Sequence, residues 1–172
     1  SRTLSVYYRQ TLEPHHEMTD LQTELYQVLR YLEMEKARFE ENLLIETDVP
    51  EGLNCLIPSF ILQPLVENAV RYGADRAGLR SVAIRTRKTP EGIQIEVADH
   101  GPGIPETIVE AILSGQEPDK SYGLYNVHTR LKKIYGSSGG LSIQHTDGET
   151  RISFLIPFSS AAHRSGDWEA AE

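Results

Sequence analysis

Residues 57–72 read Ile57-Pro-Ser-Phe-Ile-Leu-Gln-Pro-Leu-Val-Glu-Asn-Ala-Val-Arg-Tyr72, and this stretch decides the architecture. Ile57-Pro58 marks a break, after which Leu62, Leu65, Val66, Ala69 and Val70 recur at helical spacing and predict a helix over 60–72. Asn68 stands among those apolar positions, and Arg71 follows one turn later on the same side. An amide oxygen is a hard donor suited to Mg²⁺, and a guanidinium beside it would neutralise phosphate. A structural Asn at a helix–helix contact accounts for the same pattern.

Working outward, period-2 alternation on both sides predicts strands. Leu43–Val49 reads as a first strand, and Ser81–Thr86 and Gly92–Ala98 as a hairpin turning through Lys88-Thr-Pro-Glu-Gly92. Short helices are expected at 105–113 and 123–135, the second ended by Gly136-Ser-Ser-Gly-Gly140. Residues 141–145 and 151–156 form a last hairpin across Thr146-Asp-Gly148. Strands in pairs with helices between them imply an α+β protein, a two-layer sandwich with a mixed sheet packed against helices. Upstream, Leu21, Leu25, Val28, Leu29 and Leu32 share one face of a helix over 18–41 that Thr19 or Asp20 would cap. Glu24, Arg30, Glu33, Glu35, Lys36 and Arg38 read as its solvated side. Three regions result: a helical linker over 1–42, a globular body over 43–157, and a small, polar tail over 158–172 that holds Trp168.

Composition narrows the function. The 172 residues carry 25 acidic and 17 basic side chains, a net charge of −8, which excludes a general binder of nucleic acid or anionic membrane. Cys55, the one cysteine, forbids an internal disulfide and a thiolate zinc site and is expected in the core. No run of residues reaches the roughly 18–20 apolar positions of a membrane span. The start, SRTLSVYYRQ, has neither an initiator Met nor the apolar stretch of a signal peptide, so a piece of a longer protein is expected.

Two further segments carry chemistry. In Val97-Ala-Asp-His-Gly-Pro-Gly-Ile-Pro105 a strand delivers Asp99 into a loop whose Gly101 and Gly103 let backbone approach a ligand. An ionised carboxylate there would accept from an exocyclic amine and so tell adenine from guanine; an ordinary Asx turn is the alternative. In Ser121-Tyr-Gly-Leu-Tyr-Asn-Val-His-Thr-Arg-Leu131, Gly123 opens a helix whose free N–H groups favour phosphate. Gly148-Glu-Thr150 enters the last strand, where the Thr150 hydroxyl would meet a base edge or a water.

In this order, and with Tyr31-Leu-Glu-Met-Glu-Lys-Ala-Arg-Phe39 ahead of them, these segments resemble the nucleotide-binding domain of the GHKL superfamily, the Bergerat fold. More narrowly they resemble the catalytic domain of LytS/AlgZ-type sensor histidine kinases, over roughly residues 15–157. The resemblance implies ATP and Mg²⁺ as cofactors. It implies that Asn68 holds Mg²⁺ against the phosphates, with Arg71 beside them and Glu67 supporting phosphate or metal chemistry. Asp99 would bind the adenine amino group, with Gly101 and Gly103 shaping its pocket and Thr150 near the base. Gly123 and Leu124 would form the end of the ATP lid, about 114–122, from which Lys120 would reach a phosphate.

Departures matter too. The usual Gly-x-Gly-Leu lid ending is Ser121-Tyr-Gly-Leu124 here, which restricts the backbone near the triphosphate. The Glu that activates water in ATP-hydrolysing relatives is replaced by Pro64, so rapid hydrolysis is not expected. The acceptor sequence Asn-Pro-His-Phe is absent; His15 and His16 have the wrong neighbours, and His100 and His128 are expected to serve packing or lid contacts. The implied protein is the ATP-binding half of a two-component kinase. Its partners would be a phosphoacceptor helical domain of the same full-length chain, which would dimerise, and a response regulator. A membrane sensor upstream would leave this part cytoplasmic, without direct membrane contact. An anti-sigma-type serine kinase and a degenerate nucleotide-binding interaction module are the rival readings, the latter favoured only by Ser121.

Overall fold

The computed structural model describes residues 17–158, so the readings of His15, His16 and Trp168 fall outside the described residues. Strand β1 (Met18–Asp20) leads into helix α1 (Leu21–Phe39), then β2 (Leu43–Asp48), β3 (Leu56–Pro58) and α2 (Leu62–Tyr72). The hairpin β4 (Arg80–Lys88) and β5 (Gly92–Asp99) follows, then α3 (Glu106–Leu113), α4 (Leu124–Tyr135), and the hairpin β6 (Ser142–Thr146) and β7 (Glu149–Pro157).

Five strands form one mixed sheet in the order β2-β4-β5-β7-β6, with β2 parallel to β4 and every other pair antiparallel. One face of it is apolar, because Val82 and Ile84, Ile95 and Val97, and Ile152 and Phe154 alternate inward. Helices α1, α2 and α4 cover that face with Leu21, Val28 and Leu32, with Leu65, Val66 and Ala69, and with Leu124, Val127 and Leu131, all in a single core. Truncating a fully buried member such as Leu65 to Ala would cost about 2–5 kcal/mol. Cys55 is buried in this core, and burial pushes its thiol up to about 12, which leaves it unreactive.

Asp20, one of the two expected caps, accepts from Thr23 N–H at 2.7 Å and starts α1. Two readings change. The break at Ile57-Pro58 is a short strand instead: β3 pairs antiparallel with β1, Met18 opposite Pro58. Glu24, read as solvated, is 2% exposed. Its Oε1 accepts from Phe60 N–H at 2.6 Å and its Oε2 from Leu62 N–H at 3.4 Å. It therefore caps α2 from α1, which explains why α2 needs no capping side chain of its own at Ile61. Helix α1, expected as the end of a linker, thus shares both core and hydrogen bonds with the body.

Candidate nucleotide site

The apolar rows of the sheet end in a polar one. Ile84, Val97, Ile152 and Ile143 stand side by side, and two residues further the same register brings Val82, Asp99, Thr150 and His145 into line. Asp99, at the end of β5, is 6% exposed and its Oδ1 accepts from Gly101 N–H at 2.8 Å. Loss of water pushes its carboxyl above the ordinary 3.8, opposed by the Gly101 hydrogen bond and the nearby His100 and His145. A carboxylate held dry this way gains from an incoming N–H donor. Thr150 is buried opposite it.

Glycines fit the loop to the end of α2. A Cβ on Gly101 would lie 2.5 Å from Tyr72 O, and one on Gly73 would lie 2.8 Å from Asp99 Cβ. Gly73 was not singled out from the sequence; its position directly after Asn68-Ala-Val-Arg-Tyr72 was the available signal. Asp99 and the C-terminal end of α2 are thereby in contact.

Helix α2 carries the rest. A cleft of about 310 Å³ is lined by Pro64, Glu67, Asn68, Arg71, Tyr72, Tyr122 and Gly123. Asn68 is 5% exposed, and its Oδ1 is buried with no hydrogen-bond partner among the described residues. An orphaned acceptor of this kind is costly unless a ligand completes it. Glu67 is exposed at the cleft edge, its Oε1 accepting from Gln63 Nε2 at 3.0 Å. Arg71 is exposed too, its guanidinium 5.5 Å from the centre of the Tyr72 ring.

Across the cleft stands the segment expected as a lid. The Tyr122 ring meets Tyr72 edge-on at 4.7 Å, and the Lys120 ammonium lies 4.8 Å from the Tyr72 ring centre and 4.6 Å from that of Tyr122. Lys120, expected at a phosphate, thus rests on two aromatic rings here. The sequence reading passed over this tyrosine pair, since aromatic residues 50 positions apart carry no local signal of contact. Gly123 starts α4 at φ +74°, a conformation that suits glycine. Leu124, expected with it at the nucleotide, has its side chain fully buried in the core, and its N–H donates to Ser121 O at 2.9 Å.

Of the histidines, His128 is buried and its Nδ1 accepts from Leu141 N–H at 2.9 Å, a packing role as expected. His100 is exposed, with Nδ1 3.3 Å from Gly148 O. His145 was not anticipated; its Nδ1 lies 2.8 Å from Thr150 Oγ1.

Residues 58–160 match the family model of the histidine kinase-, DNA gyrase B-, and HSP90-like ATPases. Sensor histidine kinase YpdA of Escherichia coli (strain K12) is 38% identical over 156 residues, 90% of this chain and 27% of that protein. Sensor protein LytS of Staphylococcus epidermidis is 30% identical over 164 residues, 92% of this chain and 28% of that one. The chain therefore spans little more than a quarter of each of these two relatives. Among solved structures, the catalytic domain of histidine kinase ThkA superposes with a TM-score of 0.62 at 24% identity, covering 82% of this chain and 95% of that one. A ThkA complex with response regulator protein TrrA gives 0.60 at 20% identity, covering 91% and 46%. At these identities the likeness is one of fold.

Proposed function

Because the chain belongs to the family of histidine kinase-, DNA gyrase B-, and HSP90-like ATPases, we propose that it is the ATP-binding catalytic domain of a two-component sensor histidine kinase. It would transfer the γ-phosphoryl group of ATP to a histidine outside these residues, from which it passes to an aspartate of a response regulator. The observation that carries this reading is Asn68, whose buried Oδ1 has no hydrogen-bond partner among the described residues and which lines a cleft with Glu67 and Arg71.

That oxygen fits Mg²⁺, which takes one or two protein oxygens and fills its shell with water and phosphate. Magnesium held there supplies charge neutralisation for the phosphates during transfer. The chain's own residues do the remaining work. Asp99 accepts the base amino group, Thr150 lies beside it, and Gly101 and Gly103 keep that end of the pocket open. Arg71 screens phosphate charge, Glu67 supports the same mouth, and Lys120 turns from its tyrosines to a phosphate when nucleotide arrives. An imidazole nitrogen then attacks the γ-phosphorus: the N–P bond forms, the bond to the bridging oxygen breaks, and ADP leaves. Pro64 lines the cleft where a water-activating carboxylate would stand, which favours transfer over hydrolysis.

The same proposal includes residues 1–42 as the end of a linker from a dimerising phosphoacceptor region, and a membrane-anchored full-length protein with this part on the cytoplasmic side. The naming of YpdA as a sensor histidine kinase and of LytS as a sensor protein supports a sensor kinase as the whole protein, and the ThkA complex supports the regulator as a partner.

Calorimetric titration of this chain with a non-hydrolysable ATP analogue tests the site. Binding is expected to weaken in Asp99→Asn at any magnesium concentration, and in Asn68→Ala only when magnesium is present. Absence of binding at millimolar nucleotide, or equal binding by all three proteins, would refute the assignment.

A further inference from the structure

A nucleotide that reaches both Asn68 and Asp99 needs one continuous groove, and the cleft runs only part of that way. Its lining ends at Tyr72 on one wall and at Tyr122 and Gly123 on the other, and Asp99 is not part of it. Asp99 is nevertheless close: Gly73, next in the chain after Tyr72, packs so tightly on it that a Cβ would lie 2.8 Å from Asp99 Cβ. Tyr72 thus stands between the phosphate end of the site and the base end. The Tyr122 ring meets it there edge-on, the centres 4.7 Å apart and the planes at 75°. The Lys120 ammonium lies within 4.8 Å of one ring centre and 4.6 Å of the other, which ties the pair together by cation–π attraction. Tyr122 holds this position at φ +58°, a region that a bulky side chain occupies only when its surroundings impose it.

We propose that Tyr122 is an autoinhibitory latch. Docked on Tyr72 beneath the Lys120 ammonium, it divides the site, and nucleotide enters only when the two rings have parted. Ring and cation contacts hold the latch shut, while the strained backbone of Tyr122 favours release, so the two states differ by little. Contacts of this kind would keep roughly nine molecules in ten closed and weaken apparent affinity about tenfold, since only the open fraction binds. Parting the rings also frees Lys120, the cation assigned above to a phosphate. The inference rests on the nucleotide-site reading and adds to it a barrier that the chain itself supplies. It differs in sign from the simpler view that Tyr122 is a wall of the pocket, because removing a wall weakens binding and removing a latch strengthens it.

ADP with magnesium is the probe, and the unaltered chain is compared with Tyr122→Phe, Tyr122→Ala and Tyr122→Asn. Phe keeps the ring, Ala removes it, and Asn removes it while tolerating a positive φ. Calorimetry should give Tyr122→Phe the dissociation constant of the unaltered chain, and the two ringless variants one about tenfold lower. Stopped-flow mixing with a fluorescent N-methylanthraniloyl ADP should place that gain in the association rate, with dissociation unchanged. Thermal unfolding of each variant checks that it is folded. Equal or weaker binding by the ringless variants overturns the latch while the site reading stands, and so does disagreement between Ala and Asn, which would assign the effect to the backbone. Binding by none of the four proteins overturns both.

Discussion

Replacing Glu24 by Ala tests whether α2 depends on α1. The substitution removes a side chain that is 2% exposed, and with it the acceptors of Phe60 N–H at 2.6 Å and Leu62 N–H at 3.4 Å. A lost helix cap typically costs about 0.5–2 kcal/mol, and a buried donor left without an acceptor about 1–3 kcal/mol. The longer bond adds little. Two effects work the other way: Ala does not have to desolvate a charge, and it is spared up to about 2 kcal/mol of side-chain ordering. The balance is a loss of about 2 kcal/mol. In a protein of this size each kcal/mol moves the melting temperature roughly 2–4 °C, so Glu24→Ala should melt about 4–8 °C lower.

Glu24→Gln retains an acceptor for Phe60 but turns an amide group toward Leu62 N–H, and should lose about half as much. Glu33→Ala, on the exposed side of the same helix, is the control and should stay within about 0.5 kcal/mol. Thermal unfolding followed by circular dichroism reads all three. If Glu24→Ala melts with the Glu33→Ala control, the cap between the helices contributes nothing and α2 is held by its apolar face alone.

Three further outcomes are expected. The Asp99 carboxyl has a folded pKa above its unfolded value, so the native state holds that proton more tightly and stability falls as pH rises from the ordinary 3.8 through the folded value. Asp99→Asn should remove this slope and match or exceed the parent's melting temperature at pH 7 while losing nucleotide; melting more than ~3 °C lower would contradict the desolvation argument. His128 is held below the ordinary 6.5 by burial and then by Lys132, so it stabilises fully above that pH, and its contribution is lost as pH falls toward the folded value. His128→Asn, which keeps an acceptor for Leu141 N–H, should flatten the melting curve against pH below 6.5, and an unchanged slope would assign the acid sensitivity elsewhere. Tyr72→Ala removes the ring on which Tyr122 and Lys120 rest; amide hydrogen exchange in 116–122 should quicken roughly tenfold, as expected for about 1.4 kcal/mol of ring and cation contacts, and unaltered exchange would mean that the lid is held otherwise.

What the sequence disclosed, and what it withheld, follows the range of the interactions. The periodic segments were legible because their signal is local: five apolar residues at helical spacing mark α2, and alternation around Pro90 marks the β4–β5 hairpin. Asn68, Asp99 and Thr150 were legible as polar side chains in suggestive neighbourhoods. Glu24 misled because a carboxylate on a helix ordinarily faces water, and its partners lie 36 and 38 residues away. The β1–β3 ribbon has three residues a side, too short for alternation to register, and Pro58 speaks against a strand. His145 was passed over because its meaning lies in the register of β6 on β7 and of β7 on β5, which no local pattern states. In each case the missed residue acts on a neighbour brought near by tertiary structure.

Those long-range contacts have a mechanical consequence. Helix α2 bears Asn68 and is secured at both ends: Glu24 accepts from Phe60 N–H just ahead of it and from its first N–H at Leu62, while Gly73 and Gly101 pack its last turn against Asp99. Arg130 on α4 adds a hydrogen bond to Ser59 O at 2.8 Å, just before α2 begins. Because α4 starts immediately after the segment proposed as a lid, that bond ties the helix following it to the turn that leads into the helix bearing Asn68. Moving α4 to open the cleft would break it and pull Leu124, Val127 and Leu131 from the core. Opening by the intervening segment alone leaves that core in place and gives up the contacts of Tyr122 and Lys120 with Tyr72 and the hydrogen bonds at its two ends, Gln116 N–H to Ala111 O and Leu124 N–H to Ser121 O. Gly115 at φ +84° and Gly123 at φ +74° flank that segment, and a Cβ at either would meet nothing. Backbone freedom is thus concentrated at the two ends of this segment, while Asn68 and Asp99 stand on elements that need not move with it.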